Sequence, residues 1–235
     1  MRFHTTTVLS LSALAVLALT GCSTGNADSS ALSSSTTLPA HPDGEFAPAS
    51  APVSSDALAK RLLDENDLGE GYTRTPQRAA PHGDVTVIGC PTLEKLGSEA
   101  AVGGGFDFPH KAKASFTYAG ASASELAEEL YSDAEDKLSR SVSRIFKAMT
   151  SCPTYQVVTG STPVTVTTQK VLVAQLGDEQ WSQLLTFASG GRSSIVKQTA
   201  VRIGTVVVVV SGSPDLVDAH VRKAIAKAAV VRSTR

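Results

Sequence analysis

The sequence predicts an α/β chain of the α+β type: a mostly antiparallel sheet with packed helices, forming one domain behind an export signal and a polar tether. Three observations predict it. Residues 111–118, KAKASFTY, alternate strictly, with Ala112, Ala114, Phe116 and Tyr118 on one side and Lys and hydroxyl groups on the other. That is the pattern of a half-buried strand in an antiparallel sheet with one wet face. Residues 206–210 are five valines in a row. They are too few to cross a bilayer and suit a central strand buried on both faces. Two segments, 122–151 and 213–228, carry apolar stripes at helical spacing.

The elements follow in order. A short helix is expected from Asp56, with Leu58, Leu62 and Leu63 on its buried side and Asp56 as its cap. It ends in Asn66-Asp67-Leu68-Gly69-Glu70-Gly71, where the glycines supply the positive φ that stops helices. Asp64, Asn66 and Gly69 resemble the opening of a calcium loop. Leu68 stands where an oxygen ligand is needed and Thr75 where a bidentate Glu is needed, so a solvated helix end is the better reading. After strand 111–118, the spacing predicts a long helix over 122–151. Ser122 and Glu125 would form a capping box, and Ala127, Tyr131, Ala134, Leu138, Val142, Ile145 and Met149 one apolar stripe. Its acids (Glu125, Glu128, Glu129, Asp133) come early and its bases (Arg140, Arg144, Lys147) late. Dipole matching on a solvated face explains these charges more simply than a binding patch.

Four more strands are expected at 164–173, 181–188, 194–201 and 205–211. Gly190-Gly191 and Gly204 mark the tight turns between the last three. Ser213-Pro214-Asp215 then opens the last helix with a cap residue, a proline in the first turn and an acid near the N-terminus. Val217, Val221, Ala224, Ile225 and Ala228 form its buried face.

The N-terminus is an address. An apolar run over 8–19, too short to span a membrane comfortably, ends at Leu19-Thr20-Gly21-Cys22. This tetrapeptide resembles a bacterial lipobox: an aliphatic residue, two small residues and a cysteine whose thiol can take a diacylglyceryl chain. It implies a signal peptide at 1–21, cleavage before Cys22 and lipidation of Cys22. The competing reading is a plain secretory peptide with a coincidental cysteine. Gly21-Cys22-Ser23-Thr24-Gly25 also matches a nucleophile elbow, but it lacks the flanking strand and helix that an elbow needs. Residues 22–55 are rich in Ser, Thr, Ala and Pro without a sustained apolar period. They form a disordered tether with a root-mean-square reach of ~30 Å. Residues 56–235 form the folded domain.

Composition narrows the function. Lys+Arg total 21 against 22 Asp+Glu, a formal net charge of −1. A nucleic-acid binder needs a positive footprint that this chain lacks. Of the three cysteines, Cys22 is assigned to the anchor, which leaves Cys90 and Cys152. An even pair in an exported domain predicts a disulfide, against the alternative of two buried free thiols. His41, His82, His110 and His220 form no metal-ligating pattern. No serine sits at an elbow with a visible base, and Gly103-Gly104-Gly105 is not placed for phosphate binding and marks a mobile loop. No catalytic residue, metal or cofactor is implied, and the chain is expected not to be an enzyme.

The order of landmarks in 56–235 resembles the extracellular sensor domain of PknH-type actinobacterial Ser/Thr kinases and the lipoproteins that share it. The matching pieces are Leu62-Leu63, Asp67-Leu68-Gly69-Glu70-Gly71-Tyr72, Cys90 with Leu93, a long helix ending near Cys152, Leu176-Gly177-Asp178, Val201-Arg202-Ile203-Gly204-Thr205-Val206 and a terminal helix. The resemblance implies a mostly antiparallel sheet with helices on it and a ligand-binding cleft. Two departures stand out: the kinase sensor carries two disulfides where this domain has cysteines for one, and no kinase or transmembrane segment is present. The expected protein is a non-enzymatic, lipid-anchored binding or sensor-like lipoprotein on the extracytoplasmic face of the cell membrane. Its expected ligand is an envelope lipid, glycan or small molecule. The alternative is an envelope scaffold acting through a protein partner. Tyr118, Trp181 and Phe187 are the aromatic candidates for lining a pocket, with ordinary core packing as the competing reading.

Overall fold

Among the described residues nine strands build one sheet, with the valine run on an inner strand next to its centre. The computed structural model describes residues 51–76, 85–97, 100, 106–120, 124–159 and 161–229. The expected signal peptide, Cys22, most of the tether and the Gly103-Gly104-Gly105 loop lie outside the described residues. The strands are β1 (Tyr72–Thr75), β2 (Val85–Ile88), β3 (His110–Tyr118), β4 (Ser124–Ser132), β5 (Thr154–Thr159), β6 (Thr162–Lys170), β7 (Glu179–Ser189), β8 (Arg192–Ile203) and β9 (Val206–Gly212). They run in the order β1-β3-β4-β9-β8-β7-β6-β5-β2, with every neighbouring pair antiparallel. Among the described residues the helices are α1 (Ser55–Ala59), α2 (Glu65–Leu68), α3 (Pro91–Glu94), α4 (Glu135–Ser151) and α5 (Pro214–Ala228).

The pleat sends alternate valines of β9 to opposite cores. Val207 and Val209 join a core formed with Ala200, Leu185, Val166 and the inner side of α4: Leu138, Val142, Ile145, Phe146 and Met149. Val206, Val208 and Val210 join the other, with Phe116, Leu126 and Leu130, Leu58 and Leu63 near α1, and Val217, Val221 and Ala224 of α5. The sheet is thus covered on both sides of β9, which is why residues 206–210 are apolar without alternation.

The helix expected over 122–151 is two elements. Its first part is β4, paired along β3 from Ser124 to Ser132 and along β9 from Leu126 to Ser132. Residues 121–123, including the Ser122 of the expected capping box, lie outside the described residues, and Glu125 is in the strand. Ala127 and Tyr131 are four residues apart, a spacing that fits a helix face and a strand face equally. Pairing on both edges overrode the helix propensity of SELAEELYS. Only Glu135–Ser151 is helical. The early-acid ordering survives as Glu135 and Asp136, and the last turn carries no base.

Smaller differences concern caps and edges. Ser54, not Asp56, caps α1 by accepting from the Ala57 N–H. Ser213 stands at the start of α5 without a side-chain cap bond, while Pro214 fills the first position. The short edge strands β1 and β2, and β5, were not expected. Residues at the end of the expected tether are bound to the sheet. The Val53 N–H donates to Ser132 Oγ at 2.8 Å, and the Thr205 hydroxyl reaches the Ala51 carbonyl at 3.5 Å.

The expected turns are in place. Gly190 and Gly191, with φ of 57° and 75°, join β7 to β8. Cys90 and Cys152 form a disulfide across 62 residues, tying α3 to the end of α4.

Candidate functional site

The candidate surface is built on α4. Its apolar residues at 138, 142, 145, 146 and 149 face the sheet, so its polar residues occupy the flank. On that flank Ser139, Arg140, Ser143, Arg144, Lys147 and Ser151 line a groove of about 660 Å³, with Ala148 as floor and Thr92 of α3 as opposite wall. The disulfide sets this wall, because Cys90 immediately precedes α3 and Cys152 follows α4. Arg140 is bound to Asp136 at 2.6 Å. Among the described residues no carboxylate pairs with Arg144 or Lys147, which are exposed.

Ser143 also lines a second depression of about 460 Å³, bordered by Lys170, Leu172, Val173 and Trp181 and by the carboxylates Asp178 and Glu179. The two hollows therefore meet at one side chain. Leu172 is 89% exposed and Val173 39% exposed, on the segment between β6 and β7. Trp181 stacks on Phe146 with ring centres 6.2 Å apart, so one edge of the indole is fixed by the core. The acids at this end are engaged elsewhere. Glu179 accepts from the Ser139 hydroxyl at 2.8 Å and from Arg202, and Asp178 accepts from the Gly204 N–H at 2.7 Å and from Arg202. The combined site is therefore cationic and hydroxyl-rich along α4, and apolar at the 171–173 end.

The three aromatic candidates do not assemble into one site. Trp181 lines the second depression. Phe187 packs, partly buried, against the core under α4. Tyr118 lies on the opposite face of the sheet, its ring 4.7 Å from Tyr72. The Tyr72 hydroxyl in turn meets His220 Nε2 at 2.7 Å. Burial, aided by Lys223, holds the His220 imidazole below its usual pKa, and burial raises that of Tyr72.

Sequence reasoning assigns Arg144 and Lys147 to dipole matching over a binding patch and does not single out Leu172 and Val173. A signal was available: bases at 140, 144 and 147 lie about one helical turn apart, with hydroxyls beside them at 139, 143 and 151. Leu172 and Val173 extend the expected strand where the alternation of β6 has ended.

The acids that suggested a calcium loop serve the fold. Asp64 and Asp67 form a reciprocal capping box on α2 and both bind Lys227 of α5. Likewise, Leu176-Gly177-Asp178 and Val201-Arg202-Ile203-Gly204-Thr205 are one junction. A Cβ on Gly177 would lie 2.6 Å from the Arg202 carbonyl oxygen, and Arg202 pairs with Glu135, Asp178 and Glu179.

No protein-family model matches the chain, and no curated protein matches it in sequence. The fold does match solved structures. The extracellular domain of PknH from Mycobacterium tuberculosis superposes with a TM-score of 0.56 at 15% identity, covering 75% of this chain and 95% of that one. This chain therefore shares the fold of that domain. An uncharacterized protein from Mycobacterium smegmatis, an Rv0999 ortholog, aligns at a TM-score of 0.37 with 12% identity, over 68% of this chain and 90% of that one.

Proposed function

We propose that the protein is a lipid-anchored, extracytoplasmic binding or sensor-like domain without enzymatic activity, and that the groove along α4 is its ligand site. The observation that carries the reading is the groove itself, where cations without carboxylate partners meet exposed apolar side chains on a domain with the fold of a kinase extracellular domain. The lipobox at residues 19–22 supports anchoring through Cys22 to the outer side of the cytoplasmic membrane. The test has two parts. Wild-type protein should fractionate with membranes and the Cys22→Ser variant should be released. Thermal-shift and native mass-spectrometry screens with envelope lipids and glycans should find a ligand whose effect Arg144→Gln removes. A folded protein indifferent to every ligand class would refute the binding reading.

One observation favours a second reading, an envelope scaffold. Ile88 and Ile195 are 51% and 53% exposed on the α5 side of the sheet, over the half running from β8 to β2. On that face α5 packs on β9 and on the Lys197 end of β8, where Lys197 pairs with Asp218, and it leaves Ile195 and Ile88 exposed. Crosslinking in intact cells that recovers a stoichiometric protein partner through Ile195 would favour this reading over the first.

A further inference from the structure

We infer that the α4 groove takes an anionic amphiphile, with a phosphate-bearing head on Arg144 and Lys147 and an apolar chain against Leu172, Val173 and Trp181. This rests on the groove being the ligand site and goes further by naming the ligand's chemistry. Three features of the groove carry it.

The first is charge. Arg144, Lys147 and Lys170 border the two hollows and have no carboxylate partner among the described residues; Asp136 is bound to Arg140, and Asp178 and Glu179, which line the second hollow, share Arg202 with Glu135. Along α4 the unpaired charge is positive, and it selects an anion there. Arg and Lys flanked by Ser143, Ser151 and Thr92 suit phosphate oxygens, with hydroxyl groups placed to meet a polyol head.

The second is apolar exposure. The large apolar side chains standing out from the described surface are Ile88, Leu172, Val173 and Ile195, and two of the four border this one depression. A purely hydrophilic anion would leave them in water, whereas an acyl chain would cover them.

The third is distance. Lys147 and Ser143 are one helical turn apart, about 6 Å along the axis, and Ser143 already lines the hollow that Leu172 and Val173 border. Charge and apolar part must therefore sit close together in one molecule, as they do where a phosphate head joins an acyl chain.

Trp181 is the chain's single tryptophan, so its fluorescence reports on this site alone. The test uses the mature chain carrying Cys22→Ser, so that no attached acyl group competes. Monomeric dioctanoyl phosphatidylglycerol, below its micellar concentration, should shift Trp181 emission saturably. Dioctanoyl phosphatidylcholine and dioctanoylglycerol, which lack net negative charge, should bind at least tenfold more weakly, and so should glycerol 3-phosphate, which lacks the chain. Arg144→Gln with Lys147→Gln should weaken phosphatidylglycerol binding about tenfold, as should Leu172→Ser with Val173→Ser. All four positions are exposed, and unchanged circular dichroism and melting temperature would confirm that the fold is intact.

Equal binding of glycerol 3-phosphate, or of the uncharged and zwitterionic lipids, would overturn the amphiphile while leaving the groove as the site. Phosphatidylglycerol binding that ignores all four substitutions, or that occurs only with vesicles and never with monomers, would also overturn it. Silence with every probe, joined to silence in the thermal-shift screen, would remove the groove as a ligand site altogether.

Discussion

The buried carboxylate of Glu128 makes the stability of this domain depend on pH in a direction opposite to that of most acids. Glu128 lies on β4, fully buried, in the core between the sheet and the α1–α2 segment. One oxygen accepts from the Leu63 N–H at 2.6 Å, and Oε1 has no hydrogen-bond partner among the described residues. Burial raises its pKa from 4.5 to about 7. The Leu63 bond and the charges of Lys227 and Arg74 pull it down less than burial pushes it up, and Asp67 adds to the rise.

The protonated acid is the form the fold prefers. Its contribution is fully present below pH 4.5, declines as pH rises, and is lost above about 7. At 1.36 kcal/mol per unit the penalty at pH 8 is about 3 kcal/mol. Glu128→Gln keeps an oxygen for the Leu63 N–H and carries no charge. Its amide NH₂, without an acceptor, returns roughly 1 kcal/mol of that gain. The variant should therefore be about 2 kcal/mol more stable than wild type at pH 8, or roughly 4–8 °C in Tm for a domain of this size. At pH 4.5 the charge penalty is nearly gone while the amide cost remains, so the variant should there be less stable than wild type by up to about 1 kcal/mol.

Differential scanning calorimetry of both proteins from pH 4.5 to 8 measures the difference. His220 contributes with the opposite sign. Its lowered pKa means that stability is present above pH 6.5 and is lost as pH falls, and it does so equally in both proteins. The difference curve therefore isolates Glu128. A Tm difference that stays constant across the range, or a variant less stable than wild type at pH 8, would refute the reasoning.

Three further outcomes follow from the packing. Reducing the Cys90–Cys152 bond releases a 62-residue loop and should cost about 4 kcal/mol, read as a Tm lowered by roughly 10 °C in a phosphine reductant. Mass spectrometry of the unreduced native protein should find neither thiol alkylated. Gly177→Ala places a methyl 2.6 Å from a backbone oxygen and should destabilise by about 2 kcal/mol in urea titration. Arg202→Met leaves Asp178 and Glu179 without their shared cation and should cost a similar ~2 kcal/mol; because both changes loosen one junction, the double variant should cost less than the two together.

Much of the fold was legible because period and turn chemistry agreed. Strict alternation placed β3, the valine run placed β9, and Gly190-Gly191 placed the β7–β8 hairpin. The failures have a common cause. Strand β4 is made of helix-forming residues and is held by partners on both edges, information that exists only in the pairing. Strands β1 and β2 are four residues each, long enough to close the two edges and too short to show a period. For the site, Trp181 could be named as an aromatic, but its position beside Ser143 depends on α4 crossing the sheet between β4 and β5. Arg144 and Lys147 were read as dipole partners because sequence order shows where charges fall along a helix and not which carboxylates lie opposite them.

The landmarks behind the family resemblance and the residues of the groove are different sets, and this limits what the likeness can carry. Asp67 caps α2 and holds Lys227, Gly177 admits the Arg202 carbonyl, Asp178 receives the Gly204 N–H, and Cys90 staples α3 to α4. Each of these landmarks makes a contact inside the fold, and the fold is what this chain shares with a domain 15% identical to it. Arg144, Lys147, Leu172 and Val173 do none of this work. They point outward from elements whose inner faces set the architecture, and they can change without cost to folding. The shared fold therefore supplies a helix flank and a loop beside it, while the chemistry of the ligand is written by this chain's own side chains at those positions. Substitutions there should alter binding without moving the melting temperature, and substitutions at the landmarks should do the reverse.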